Sequence, residues 1–194
     1  MVSTQLRELL LQSLVHERGG VLIYKTALEC AQNEQLREEW KKYLAQTEKH
    51  VQLLVDACTA LGLDPGELTP GCQVVQHNGK SLVIAMKMAL AANDPLAAER
   101  VACECVTLAE TKCHADWELI GLCAKAVDGD AGAVLKRAHA EAMEEEAEHL
   151  LHTQGWAREL WLSALGVKAE LPPPEETEDV KTLKQAAAVR EQRS

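Results

Sequence analysis

The 194-residue sequence contains no phenylalanine, and its only other aromatic residues are two tyrosines and four tryptophans. Its apolar content, 47%, is therefore carried by Ala, Leu and Val. Glycine and proline are also scarce, 11 and 6, and they cluster at a handful of places. Ala and Leu are strong helix formers, so long uninterrupted stretches of them predict a helical bundle. No Cys-x-x-Cys occurs among the seven cysteines, an odd number scattered through helical text. Cys103 and Cys105 would point about 200° apart on a helix and could not hold one ion together. The thiols read as buried and reduced rather than as a zinc or redox site.

No apolar run approaches the roughly 18 residues of a membrane-spanning helix. The first 20 residues are amphipathic and reach charge quickly, unlike a signal peptide. The chain is expected to be cytoplasmic and soluble. The net charge is −10 and there is no basic stripe, which argues against nucleic acid and against an anionic membrane surface as partners. A cation suits such a chain better. The length fits one domain, large enough to bury a core without staples.

Ser3 can cap a first helix running to about Gln32, with Leu6, Leu9, Leu10, Leu14, Val21 and Leu22 at helical spacing. Gly19 and Gly20 weaken its middle by roughly 1 kcal/mol each relative to Ala, unless a close approach needs them. After a break at Asn33, a second helix runs from Glu34 to about Leu61, and Gly62 ends it. A long connection rich in Gly and Pro follows, LDPGELTPGCQVVQHNGK. Residues 81–92, almost wholly apolar, predict a short helix buried along most of its surface. Asn93-Asp94-Pro95 is a break, a cap and a first-turn proline, opening a third long helix to about Val127. Asp128-Gly129-Asp130 is a tight turn before a fourth, which Gly166 closes. Residues 168–194, with three prolines and little apolar content, read as a flexible polar tail. Two short connections and one long crossover make two antiparallel hairpins packed as one up-down four-helix bundle over residues 1–167.

Near the end of the last long helix stands EEEAEHLLH, residues 144–152, with Glu146 and His149 as a Glu-x-x-His pair. Residues three apart on a helix share a face, so a carboxylate and an imidazole come together at a metal-ligand spacing. The other hairpin echoes it. Glu17 lies 16 residues before Asn33 and His50 lies 17 after it, while Glu110 lies 19 before Gly129 and His149 lies 20 after. At about 1.5 Å rise per residue, each Glu is level with the His of its partner helix. Seven residues after each Glu comes an aromatic on the same face, Tyr24 and Trp117. Glu on one helix and Glu-x-x-His on the next, twice over, is the ligand pattern of a carboxylate-bridged dinuclear metal site.

On these residues the chain resembles the ferritin-like superfamily, which includes the rubrerythrin and bacterioferritin families. The crossover with its extra apolar helix, and the stretch Glu110 to Trp117, are similar to bacterial stress-associated ferritin-like proteins. The resemblance covers about residues 5–165 and rests on topology and spacing. It implies an all-α ferritin-like fold and a site for iron, or for manganese or zinc, with oxidase or peroxidase chemistry or metal handling as its role. It carries over Glu17, His50, Glu110, Glu146 and His149 as ligands. No cage-specific feature is visible, so a homodimer or small homo-oligomer is expected.

The second helix departs from the family pattern. QTEKH has Thr47 where a bridging Glu belongs. Glu48 is about 200° from His50 on the helix, and Gln46, which shares its face, offers only a neutral amide. Two divalent ions bring four positive charges against three carboxylates, and the excess is costly in a low-dielectric core. A mononuclear or asymmetric site of Glu, Glu and His is the consequence. His114, one turn after Glu110, is an extra candidate ligand. Tyr24 and Trp117 read as packing, and Glu144, Glu145, Glu148 and His152 as solvated. The competing reading is a metal-free ferritin-like scaffold, a stress or interaction protein whose buried polar residues bond one another.

Overall fold

A computed structural model gives the structure of residues 2–192. Met1, Arg193 and Ser194, which the expected divisions 1–167 and 168–194 include, lie outside the described residues. The fold is all-α. The helices are α1 (Thr4–Cys30), α2 (Glu34–Ala60), α3 (Pro70–Ala91), α4 (Pro95–Ala126), α5 (Gly129–Ala164), α6 (Pro174–Thr177) and α7 (Leu183–Gln192). No strand occurs among the described residues. None of their helices is long and apolar enough to cross a membrane.

Most boundaries follow local chemistry. Ser3, Asn33, Thr69 and Asp94 each accept a backbone N–H in the first turn they open. Gly62 and Gly166 follow α2 and α5 at φ 73° and 71°. The crossover differs from expectation. Thr69 and Pro70 form a cap and first-turn proline, so α3 begins 11 residues before the predicted 81 and takes in much of the supposed loop. Gly71 does not break it, because it lies against α1, where a Cβ would come within 2.3 Å of the Gln12 and Glu8 side chains. Nor is α3 buried over most of its surface. Cys72, Val75 and Met86 are buried, whereas Val74, Ile84 and Met88 are exposed.

Four long helices close a ring: α1 packs on α2 and α4, and α5 packs on α2 and α4. Every neighbouring pair is antiparallel, as matched contacts show: Tyr43 meets His152 while His50 meets Glu146, and Tyr24 meets Glu110 while Glu17 meets Trp117. The helix α3 lies outside the ring, along α1 and α4. Five of the six aromatic side chains, Tyr24, Trp40, Tyr43, Trp117 and Trp156, are fully buried, which explains how a chain without Phe fills its core.

That core is in two parts. One holds Tyr24, Leu36, Trp40, Val106 and Trp156, and the other Leu10, Leu14, Leu54, Trp117 and Leu135. Along α1, α2, α4 and α5 alike, the sequence passes from one part to the other through residues 17, 50, 110 and 146–149. A buried polar layer divides the apolar core.

The last 25 described residues, expected as a polar tail with a helical turn near 180–190, carry α6 and α7 and pack on α5. Arg158 of α5 forms a two-pronged ion pair with Glu175, at 2.6 and 2.8 Å, and Arg190 adds a third contact at 3.1 Å. Val180, Ala186 and Val189 bury themselves against Leu151. Gly155 permits this approach, since a Cβ there would lie 2.7 Å from a Glu175 oxygen and 2.9 Å from Pro173. Few apolar residues suffice because paired charges do the rest.

Candidate metal centre

The five residues expected as ligands converge in the polar layer. Glu17, His50, Glu110, Glu146 and His149 are each at most 4% exposed. They form two groups whose donor atoms lie within 4.8 Å of one another: Glu17, His50 and Glu146, and Glu110, Glu146 and His149. Glu146 belongs to both. It stands where a carboxylate bridging two ions would stand, between the imidazoles of His50 and His149, whose ring centres are 5.8 Å apart.

Each imidazole is oriented from behind. His149 Nε2 donates to Gln46 Oε1 at 2.9 Å, and His50 Nε2 donates to Glu145 Oε2 at 2.8 Å. With the outer nitrogen protonated, a neutral ring presents its lone pair at Nδ1, and in both residues Nδ1 faces the carboxylates. His50 Nδ1 is 2.6 Å from Glu146 Oε1 and 4.0 Å from Glu17 Oε1; His149 Nδ1 is 3.6 Å from Glu110 Oε2 and 4.0 Å from Glu146 Oε1. The 2.6 Å contact between an imidazole nitrogen and a carboxyl oxygen requires a proton between them.

The carboxylates are half satisfied. Trp117 Nε1 and Cys113 Sγ donate to Glu17 Oε1 at 2.6 and 3.1 Å, and the Tyr24 hydroxyl donates to Glu110 Oε1 at 2.8 Å. The second oxygens of Glu17, Glu110 and Glu146, and His149 Nδ1, are buried without any hydrogen-bond partner. Among the described residues eight buried side-chain N or O atoms share that condition, and half of them meet here. An unpaired buried carboxylate oxygen is expensive, so burial first, then the neighbouring Glu146 carboxyl, push Glu17 up to about 8. Burial and the charge of Glu110 push Glu146 up to about 8 as well. Burial pushes Glu110 the same way, but the His149 imidazole and the Tyr24 hydroxyl outweigh it and hold Glu110 below the usual carboxylate range.

The remaining candidates fall elsewhere. His114 is half-buried beside Glu118, 4.0 Å away, and takes no part in either group. The inward face of α4 runs through Cys113 and Trp117, which carries position 114 away from the centre. Thr47 has its hydroxyl bonded to the Tyr43 carbonyl at 2.9 Å and its methyl against Gly20. No carboxylate replaces it, since Glu48 is exposed and pairs with Lys25 at 3.2 Å.

Residues read as solvated or as poor ligands have structural partners here. Glu145 orients His50. His152 is buried, between the Tyr43 hydroxyl at 3.0 Å and the Val180 carbonyl at 3.1 Å. Glu148 is buried and pairs with Lys42 at 3.2 Å. Tyr43 in turn packs on His149, with ring centres 4.3 Å apart, so the docked tail reaches the centre through His152 and Tyr43. Their signal in the sequence was the His149 to His152 spacing, one more i,i+3 step along the same face.

Neither a family model, nor a curated protein, nor a solved structure matches the chain. The function therefore has to be argued from the centre itself.

Proposed function

We propose that this protein is a ferritin-like metal-binding protein whose centre takes one or two divalent cations, iron first and manganese or zinc as other candidates, between α1, α2, α4 and α5. The observation that carries this reading is the convergence of Glu17, Glu110, Glu146 and His149, each of which has a buried atom without a hydrogen-bond partner: Glu17 Oε2, Glu110 Oε2, Glu146 Oε2 and His149 Nδ1. Carboxylate and imidazole donors suit these cations, and an ion would satisfy the atoms the protein leaves bare. Glu17 and His50 would hold one ion, Glu110 and His149 the other, with Glu146 shared. A bound ion supplies Lewis acidity and, for iron or manganese, a redox couple; the protein supplies burial, the fixed Nδ1 lone pairs and the displaceable protons.

The ferritin-like assignment rests on the antiparallel ring, the long crossover carrying α3, and the ligand register in two hairpins. The metal-free scaffold reading has the buried polar groups satisfy one another; several of them do, and the four atoms left bare favour the metal reading. The same reading takes a homodimer or small homo-oligomer as the assembly, with exposed apolar residues such as Leu22, Ile84 and Met88 as surface for it to cover.

Titration of the purified full chain with iron(II) under anaerobic conditions, followed by tryptophan fluorescence and calorimetry, tests the metal reading. Binding quenches Trp117, whose indole is bonded to Glu17, and the quenching vanishes in Glu146→Ala while the helical circular dichroism remains. Titration that leaves fluorescence and heat unchanged would favour the scaffold.

A further inference from the structure

The polar layer holds one more side chain with donor chemistry. Cys113 lies one turn beyond Glu110 on the inward face of α4 and is buried. Its Sγ reaches across to α1 and lies 3.1 Å from Glu17 Oε1. In the first hairpin the matching position, three residues after Glu17, is Gly20, which offers no donor and lies against the Thr47 methyl. Beside the thiol are two carboxylates at most 1% exposed, Glu17 and Glu146, each with an oxygen that has no partner.

We propose that Cys113 is a thiolate ligand to the ion held by Glu17, His50 and Glu146, which makes this half of the centre a mixed sulfur, nitrogen and oxygen site for a borderline-soft cation such as zinc, cobalt or iron(II). This rests on the metal-binding reading above and goes beyond it, since carboxylates and imidazoles alone would make the two halves alike.

Three arguments support it. The first is geometric. A thiolate sulfur about 2.3 Å and a carboxylate oxygen about 2.1 Å from one ion, at the tetrahedral angle, are themselves about 3.6 Å apart. Sγ and Oε1 are 3.1 Å apart here, so the ion can replace the shared proton once the two atoms spread by about 0.5 Å. The second is charge. Glu17, Glu110 and Glu146 leave two divalent ions with about one positive charge in excess, and a thiolate supplies the fourth negative charge that Thr47 does not. The third is the donor set: Sγ lies outside the cluster in which the donor atoms of Glu17, His50 and Glu146 are within 4.8 Å of one another, and an inward movement of the thiol would give that group four protein donors, enough to close a tetrahedral shell. The step is a ligand exchange without redox change. The S–H bond breaks, a sulfur–metal bond forms, and the proton is released to the buffer.

Cobalt(II) chloride, titrated anaerobically into the full chain, provides the test. The expected spectrum has visible ligand-field bands together with a near-ultraviolet sulfur-to-cobalt charge-transfer band. In Cys113→Ser the charge-transfer band disappears, the ligand-field bands persist, and affinity for the first ion falls roughly tenfold or more. Cys113→Ala serves as the second variant, with circular dichroism reporting whether each keeps its helices. Ligand-field bands without the charge-transfer band in the unmodified protein would overturn the thiolate and leave the carboxylate centre standing. A charge-transfer band that survives in both Cys113 variants would place the sulfur elsewhere and also overturn it. No cobalt bands at all would overturn the metal-binding reading itself.

Discussion

In the hairpin of α1 and α2, Glu17, Gly20, Tyr24, Thr47 and His50 occupy the places that Glu110, Cys113, Trp117, Glu146 and His149 occupy in the hairpin of α4 and α5. Three of the five places keep their chemistry: a carboxylate, an aromatic donor and an imidazole. The aromatics even trade partners, since Tyr24 of α1 bonds Glu110 of α4 and Trp117 of α4 bonds Glu17 of α1. Two places differ, and both changes run the same way. The second hairpin has a carboxylate where the first has Thr47, and a thiol where the first has Gly20. The repeated residues define where a centre lies, and the unrepeated ones make its halves unequal, with Glu146 serving both.

The strongest way to break the comparison is at its unrepeated carboxylate. Glu146→Ala should abolish binding at both groups, lowering affinity by about a hundredfold or more, because it removes the shared ligand. Thr47→Ala, at the matching place, should leave metal content unchanged in the same calorimetric titration. Next come the unshared carboxylates. Glu17→Ala and Glu110→Ala should each halve the stoichiometry of a centre loaded with two ions, as read by elemental analysis, and their effects should separate by group.

A smaller effect is expected behind the imidazoles. Glu145→Ala and Gln46→Ala should each weaken binding by about 10- to 100-fold through loss of the hydrogen bond that orients His50 or His149. If either change leaves the affinity untouched, Nδ1 is held by something other than these partners. Proton competition is gentler. Glu17 and Glu146 are pushed up to about 8, so at pH 7 the free centre carries protons that the loaded centre must release. Affinity should therefore rise with pH by up to about tenfold per unit for each proton displaced; the carboxyl contribution levels off above about 8, while burial holds the Cys113 thiol proton to higher pH and keeps a slope there. Calorimetry in buffers of different ionisation enthalpy counts the protons directly. The smallest change is a gain: Thr47→Glu should restore the missing carboxylate and raise affinity for a second ion by about threefold to tenfold, provided the side chain passes Gly20.

The convergence of these five residues was legible because it depends on counting. Two antiparallel helices of equal rise bring residues equidistant from their turn to one level, so Glu17 with His50 and Glu110 with His149 could be paired without a structure. The gap at Thr47 was legible for the same reason. Partners across the bundle were not. Gln46 shares a face with His50, four residues on, yet it bonds His149 of α5. Glu145 sits in a run of three glutamates of which only Glu146 reads as inward, and the rotation of α5 turns it toward His50. His114 shares a turn with Glu110, yet the face is centred on Cys113 and Trp117. The start of α3 was masked by Thr69-Pro70-Gly71, a helix cap that reads equally well as a loop. The tail was masked by composition: Val180, Ala186 and Val189 are too sparse to signal burial, and the Arg158–Glu175 pair spans 17 residues with no periodicity to announce it.

Elemental analysis of the full chain, purified from cells grown with added iron and manganese and then reconstituted, tests the central claim most directly. The expected result is about one to two divalent ions per chain, lost in a folded Glu146→Ala variant. A folded, unmodified protein that holds fewer than about one ion per five chains after reconstitution would contradict it.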